Sequence, residues 1–368
     1  MAPTAAAPLS DPALDLAREI ERYRDNWVGH VIVLGDYLSR RIRDRLEQEC
    51  GYPRIRPSFG PFISLVWREP RPLVELAGQL AISRQACSKI VRLAEDDGYV
   101  ERVAAGNGNR AQSVRLTDHG SQLAEDSVRL LFEEQTTWEA WIGPERLRRF
   151  NLAASAVFSA LGLEEQTDAT LGEAARESIG ILPVIGDRIE LDLQERTRAK
   201  GHDGLQLSHA RLIGLIGDGS MSVSEMARLQ GVSRQATGVT VRSLESLDYV
   251  RRDSDENDAR AIRVRLSNRG ASLVFDTVAT LDEFADDLRD RIGPRRFADF
   301  ANVAGEIRGA LSTEAELFTT GDKRSRRTGA KSEERNAPRD HELRAIATLL
   351  EEKLGTKAAN RLGRILCA

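Results

Sequence analysis

Leu16, Ile20, Tyr23, Trp27, Val31, Leu34 and Leu38 recur at helical spacing, which predicts one long amphipathic helix at the start of the chain. Shorter apolar runs predict a helix around Pro61 to Trp67, a short helix from Leu73 to Leu80, and another beginning at Ser83. Serine there is a natural N-cap, because its hydroxyl accepts a free backbone N–H of the first turn. Tyr99 to Val103 and Ser113 to Leu116 alternate apolar with polar residues and enclose a Gly/Asn-rich loop, the pattern of a β-hairpin. A long helix is expected from about Ser121. The same series then returns: helices around Ser208 to Leu215, Val223 to Leu229 and from Ser233, a hairpin of Tyr249 to Asp253 with Ile262 to Leu266, and a closing helix from about Ser272.

This recurrence is a duplication. Shifted by 150 residues, Ile82–Gly120 aligns without a gap on Val232–Gly270, with 17 of 39 positions identical. The same shift pairs Ile142-Gly143-Pro144 with Ile292-Gly293-Pro294, and a shift one residue larger pairs Gly35-Asp36 with Gly186-Asp187. A period of 150 is the length of a domain, far longer than a solenoid unit. The domains expected are residues 10–165 and 170–318, followed by a disordered charged linker over 319–340 and an amphipathic helix over 341–368.

Helix, turn, helix and hairpin in that order make a winged helix-turn-helix, whose second helix enters the major groove and presents side chains to base edges. With Ala86, Ile90 and Ala94 assigned to the core, the outward residues of the first copy are Arg84, Gln85, Ser88, Lys89 and Arg92 behind the cap Ser83. In the second copy they are Arg234, Gln235, Gly238, Val239 and Arg242 behind Ser233. Arginine pairs with guanine and glutamine with adenine through two hydrogen bonds each, and neither ten-residue stretch from the cap contains an acid. The aligned wing arginines Arg110 and Arg260, with Arg263 on the second wing, are candidates for phosphate or minor-groove contact. Lys89 against Val239 predicts two related but unequal half-sites.

The run Leu76-Ala77, Ile82-Ser83-Arg84-Gln85, Gly98-Tyr99-Val100-Glu101-Arg102, Arg110 and Leu116-Thr117-Asp118-His119-Gly120 resembles the signature of the MarR family of transcription regulators. The second copy repeats it with Met226-Ala227, Ser233-Arg234-Gln235, Tyr249-Val250-Arg251-Arg252, Asp258-Ala259-Arg260 and Leu266-Ser267-Asn268-Arg269-Gly270. Two departures stand out: Gly108 occupies the place of the family's wing aspartate, and two domains share one chain where ordinary members are homodimers. The resemblance implies a mainly α fold with small hairpin wings, in which the first and last helices of both repeats pair within the molecule as a pseudo-dimer. It also implies a small aromatic effector, although no residue identifies its pocket.

Composition changes little in this picture. The net charge of −4 argues against a nucleic-acid binder only if the charge is spread evenly, and the field that matters is local. No apolar run is long enough to span a bilayer, and three scattered cysteines imply no disulfide framework, so a cytoplasmic protein is expected. Cys87 has two readings, a small packed residue or a redox switch, with the first preferred. The five histidines show no ligand spacing beyond a weak pairing of His202 with His209, so no metal or cofactor is expected. No nucleophile elbow or phosphate-binding loop is present, so the expectation is a DNA-binding repressor and not an enzyme. The alternatives are a DNA-architectural or recombination accessory protein, and a protein-interaction module built on degenerate winged helices. The C-terminal helix has three candidate roles: docking on the chain itself, self-association, or binding a protein partner.

Overall fold

The computed structural model describes residues 12–53, 55–67, 69–80, 82–104, 112–163, 178–254 and 262–325. Two compact units are present, Met1–Ser312 and Thr313–Ala368. The first repeat runs α1 (Pro12–Arg24), α2 (Trp27–Glu49), α3 (Phe59–Val66), β1 (Arg71–Pro72), α4 (Leu73–Gln79), α5 (Arg84–Asp96), β2 (Val100–Ala104), β3 (Gln112–Leu116), α6 (Asp118–Ile142) and α7 (Pro144–Ala160). After a 3-10 turn at Ile179–Ile181 the second runs α8 (Leu182–Ala199), α9 (Leu207–Ile216), β4 (Ser220–Ser222), α10 (Val223–Gln230), α11 (Arg234–Ser246), β5 (Val250–Ser254), β6 (Ile262–Leu266), α12 (Asn268–Ile292) and α13 (Pro294–Ser325). Helix α13 continues through residues 319–325, so the start of the expected linker is helical. The remainder of that linker and the expected helix over 341–368 lie outside the described residues.

Each half carries a three-stranded antiparallel sheet, in the orders β1-β3-β2 and β4-β6-β5. The registers superpose through the 150-residue shift: Val100 faces Leu116 as Val250 faces Leu266. Strands β1 and β4, two and three residues long, are too short to show any alternation in the sequence. One glycine per half fixes where the long helix meets the sheet. A Cβ on Gly120 would stand 1.9 Å from the Tyr99 carbonyl oxygen, and one on Gly270 would stand 2.1 Å from that of Tyr249. Those carbonyls already accept the Thr117 and Ser267 N–H groups, so they cannot withdraw without losing a bond.

Three apolar clusters organise the unit. The first winged helix closes over Phe59, Phe62, Leu76, Val91, Tyr99 and Val114. The second closes over Leu212, Ile213, Met226, Val241, Tyr249 and Val264. The largest cluster belongs to both repeats: Val31, Leu34 and Leu38 of α2 and Phe150 of α7 pack with Ile185 and Ile189 of α8, Phe284 of α12 and Phe300 of α13. Phe150 and Phe300, equivalent under the 150-residue shift, stack on each other with centroids 5.7 Å apart. Helices α2 and α8 touch through glycine, since a Cβ on Gly35 would lie 3.0 Å from Leu182 O and Pro183 Cα.

The leading helix is not continuous, contrary to its apolar spacing. Asn26 ends α1 and starts α2: its side chain donates to Tyr23 O (2.8 Å) and accepts from Gly29 N (2.8 Å). The break lets α1 cross to the other repeat. Ile20, 2% exposed, lies in the core of the second winged helix. Tyr23 Oη donates to Ala210 O (3.3 Å), Arg24 binds the Gly214 and Leu215 carbonyls, and Arg22 pairs with Asp282 (2.6 Å). The sequence repeat and the packing unit therefore do not coincide.

Candidate nucleic-acid interface

The two helix-turn-helix segments are built alike. Ser83 Oγ accepts Ala86 N and Ser233 Oγ accepts Ala236 N, both at 3.1 Å, so both serines act as the N-caps the sequence implies. The buried stripe differs from the expected one. Cys87, Val91 and Ala94 face the core in α5, and Thr237, Val241 and Leu244 in α11. Ala86 is exposed and Ile90 only half-buried, because the helix is rotated by about one position from the assumed i, i+4, i+8 set. Cys87 serves as a packing residue, its thiol 3.8 Å from Leu73 O and pushed up in pKa by burial, which leaves little thiolate for redox chemistry.

That rotation leaves the outward set intact and enlarges it. Arg84, Gln85, Lys89 and Arg92 are exposed and Ser88 is half-buried; Arg234, Gln235, Val239 and Arg242 are exposed and Gly238 is half-buried. The exposed Ala86 and Ala236, assigned to the core or passed over in the sequence, join these faces. Among the described residues none of Arg84, Lys89, Arg92, Arg234 and Arg242 is held in an ion pair. Arginines just behind them are held: Arg102 pairs with Glu95 and Arg252 with Glu245, each at 3.2 Å, tying the first wing strand to the end of the recognition helix.

The wings are described only at their bases, and Arg110 and Arg260 lie outside the described residues. Arg263 has an internal role. Its Nε donates to Ser220 Oγ (2.8 Å), its Nη2 donates to Ser220 O (2.6 Å), and Glu225 lies 3.9 Å away, so it clamps β4 to β6. In the first repeat Glu75, the counterpart of Glu225, is held instead by Arg71 of β1. Arg265 pairs with Asp253 across the second hairpin at 2.5 Å.

A polar clasp ties each winged helix to its long helix. Tyr52 Oη donates to Asp126 Oδ2 (2.7 Å) in the first repeat. At the matching position His202 contacts Asp276 Oδ2 through Nε2 (2.9 Å) and Tyr249 Oη through Nδ1 (3.1 Å). His209, the other half of the weak zinc pairing, takes part in the capping box of α9 with Gln206. Among the described residues no group of three metal-binding side chains gathers, and no helix is long and apolar enough to cross a membrane.

Residues 203–261, which hold the second helix-turn-helix and its first wing strand, match the model of the MarR family. No curated protein matches the chain. Two solved structures are similar over about one repeat. A transcriptional regulator from Thermotoga maritima is 18% identical over 36% of this chain and 95% of its own, with a TM-score of 0.29. The YusO protein from Bacillus subtilis is 17% identical over 36% of this chain and 89% of its own, with a TM-score of 0.26.

Proposed function

We propose that this chain, which matches the MarR family over residues 203–261, is a sequence-specific regulator of transcription that binds double-stranded DNA and acts as a repressor. The observation that carries this reading is the paired recognition face. Two capped helices, α5 and α11, each present Arg and Gln in the first turn and a further Arg two turns on, free of ion pairs among the described residues. Cations left unneutralised beside paired neighbours suit phosphate and guanine, and the arrangement occurs twice on one apolar scaffold.

On this reading residues 10–165 and 170–318 act as the two halves of a pseudo-dimer in one cytoplasmic chain. Its operator is pseudo-palindromic, with half-sites about one helical turn apart, roughly 10 bp centre to centre. Arg84, Gln85, Lys89 and Arg92 read one half, and Arg234, Gln235, Val239 and Arg242 read the other; Arg110 and Arg260 reach the backbone from the wings. A small aromatic effector and a partner for the C-terminal segment belong to the same reading. Selection of genomic fragments by the purified chain, followed by footprinting, tests it. The expected result is a protected site of about 20 bp with two similar, unequal halves. Equal binding to all fragments would replace the regulator with an architectural protein, and no DNA binding would replace it with a protein-interaction module.

A further inference from the structure

The two recognition faces differ in chemistry at matched positions. At the centre of the α5 face stands Lys89; the matched residue of α11 is Val239, which is 54% exposed. Gln235, Val239 and Arg242 fall at i, i+4 and i+7 and so share one helix face, with the exposed Ala236 beside them. Gly238 stands where the first repeat has Ser88, and the Arg242 guanidinium crosses that gap, its Nη1 3.6 Å from where a Cβ would be. The centre of the second face is therefore apolar and flanked by Gln235 and Arg242, whereas the centre of the first is a flexible cation.

An exposed valine on a solvated helix gains nothing until it is covered. In a major groove the one apolar group on a base edge is the 5-methyl of thymine. Leu229 and Val232, also exposed, make the second helix-turn-helix more apolar than the first, which at these positions has Gln79 and the half-buried Ile82. The absence of acids from Ser233 to Arg242 favours duplex DNA over a protein as the cover. We infer that Val239 reads a thymine methyl group, so that the half-site under α11 is specified at that position by a methyl and the half-site under α5 by the cation of Lys89, while Ala86 and Ala236 present the same surface to both. This rests on the DNA-binding reading above.

The experiment uses the full chain and the best duplex selected from a random library, with single thymines replaced by deoxyuridine, which removes the methyl and leaves the hydrogen-bonding edge unchanged. Replacement in the α11 half-site is expected to weaken binding roughly fourfold for each contacted methyl, the worth of one buried methyl group. The same replacement at the matched position of the α5 half-site, under Lys89, should change affinity little. Val239→Lys should abolish the deoxyuridine effect at the thymine under α11, and Val239→Thr, which keeps a methyl, should retain most of it. A selected site without thymine under Val239, or equal deoxyuridine effects at the positions under Lys89 and Val239, overturns the inference while DNA binding stands. Failure to bind any duplex overturns both.

Discussion

Replacing Ile20 by alanine separates the packing unit from the sequence repeat. Ile20 belongs by sequence to the first repeat but lies 2% exposed among Leu212, Ile213, Met226 and Val274 of the second. The substitution removes three carbon groups, about 2.4 kcal/mol at ~0.8 kcal/mol each, and the cavity left between α1, α9 and α12 raises the total toward about 3–5 kcal/mol. The Arg22–Asp282 pair is half exposed on both sides and restores no more than about 1 kcal/mol. Hydrogen exchange read by mass spectrometry locates the loss. Amides of α9, α11 and α12 should lose protection, while those of α4 and α5 keep theirs. Loss centred on α4 and α5 instead would refute the exchanged position of α1.

Three further outcomes are expected. Gly120→Ala drives a methyl into the Tyr99 carbonyl and should cost about 2–4 kcal/mol, whereas Gly78→Ala, on a helix with no neighbour within 4 Å, should be neutral or slightly stabilising; urea unfolding of both variants checks this. Burial pushes the Asp126 carboxyl up, but the bonds from Tyr52 and Arg129 outweigh it and hold the pKa below the usual carboxylate value. Its stabilising effect is thus complete above the unfolded pKa and is lost as pH falls through the lowered value, so the stability deficit of Asp126→Asn, measured by thermal melts, should be largest near neutrality and close in strong acid. Arg84→Ala and Arg234→Ala should each weaken binding to the selected site by about 1–3 kcal/mol if the arginine reads a base, and flatten the salt dependence by about one unit of slope if it holds a phosphate; titrations across a salt series distinguish the two.

Much of this architecture was legible because local rules and tertiary packing agree. The Ser83 and Ser233 caps and the two hairpins follow from short-range chemistry repeated 150 residues apart. The failures have physical causes. Strands β1 and β4 exist only because β3 and β6 offer free edges, a long-range fact with no local signal. The recognition-helix stripe was misassigned because Ala86 is apolar enough to pass for core, while Cys87 and Thr237 fill a site that needs only small size. Asn26 breaks a helix whose apolar spacing runs straight through it, since its side chain satisfies backbone groups on both sides of the break. Arg263, a wing candidate in the sequence, turns inward because Ser220 on the adjacent strand supplies two acceptors, a pairing across strands with no local signal.

The shared cluster around the stacked Phe150 and Phe300 makes each half the other's permanent partner. A regulator assembled from two separate chains can trade subunits with any relative that keeps the same interface, and a defective copy can poison a sound one. Here the apolar faces that would recruit a stranger are already occupied from within. On the proposed reading, such a chain would be insulated from subunit exchange through this interface, and a cell holding related regulators would keep its output distinct from theirs.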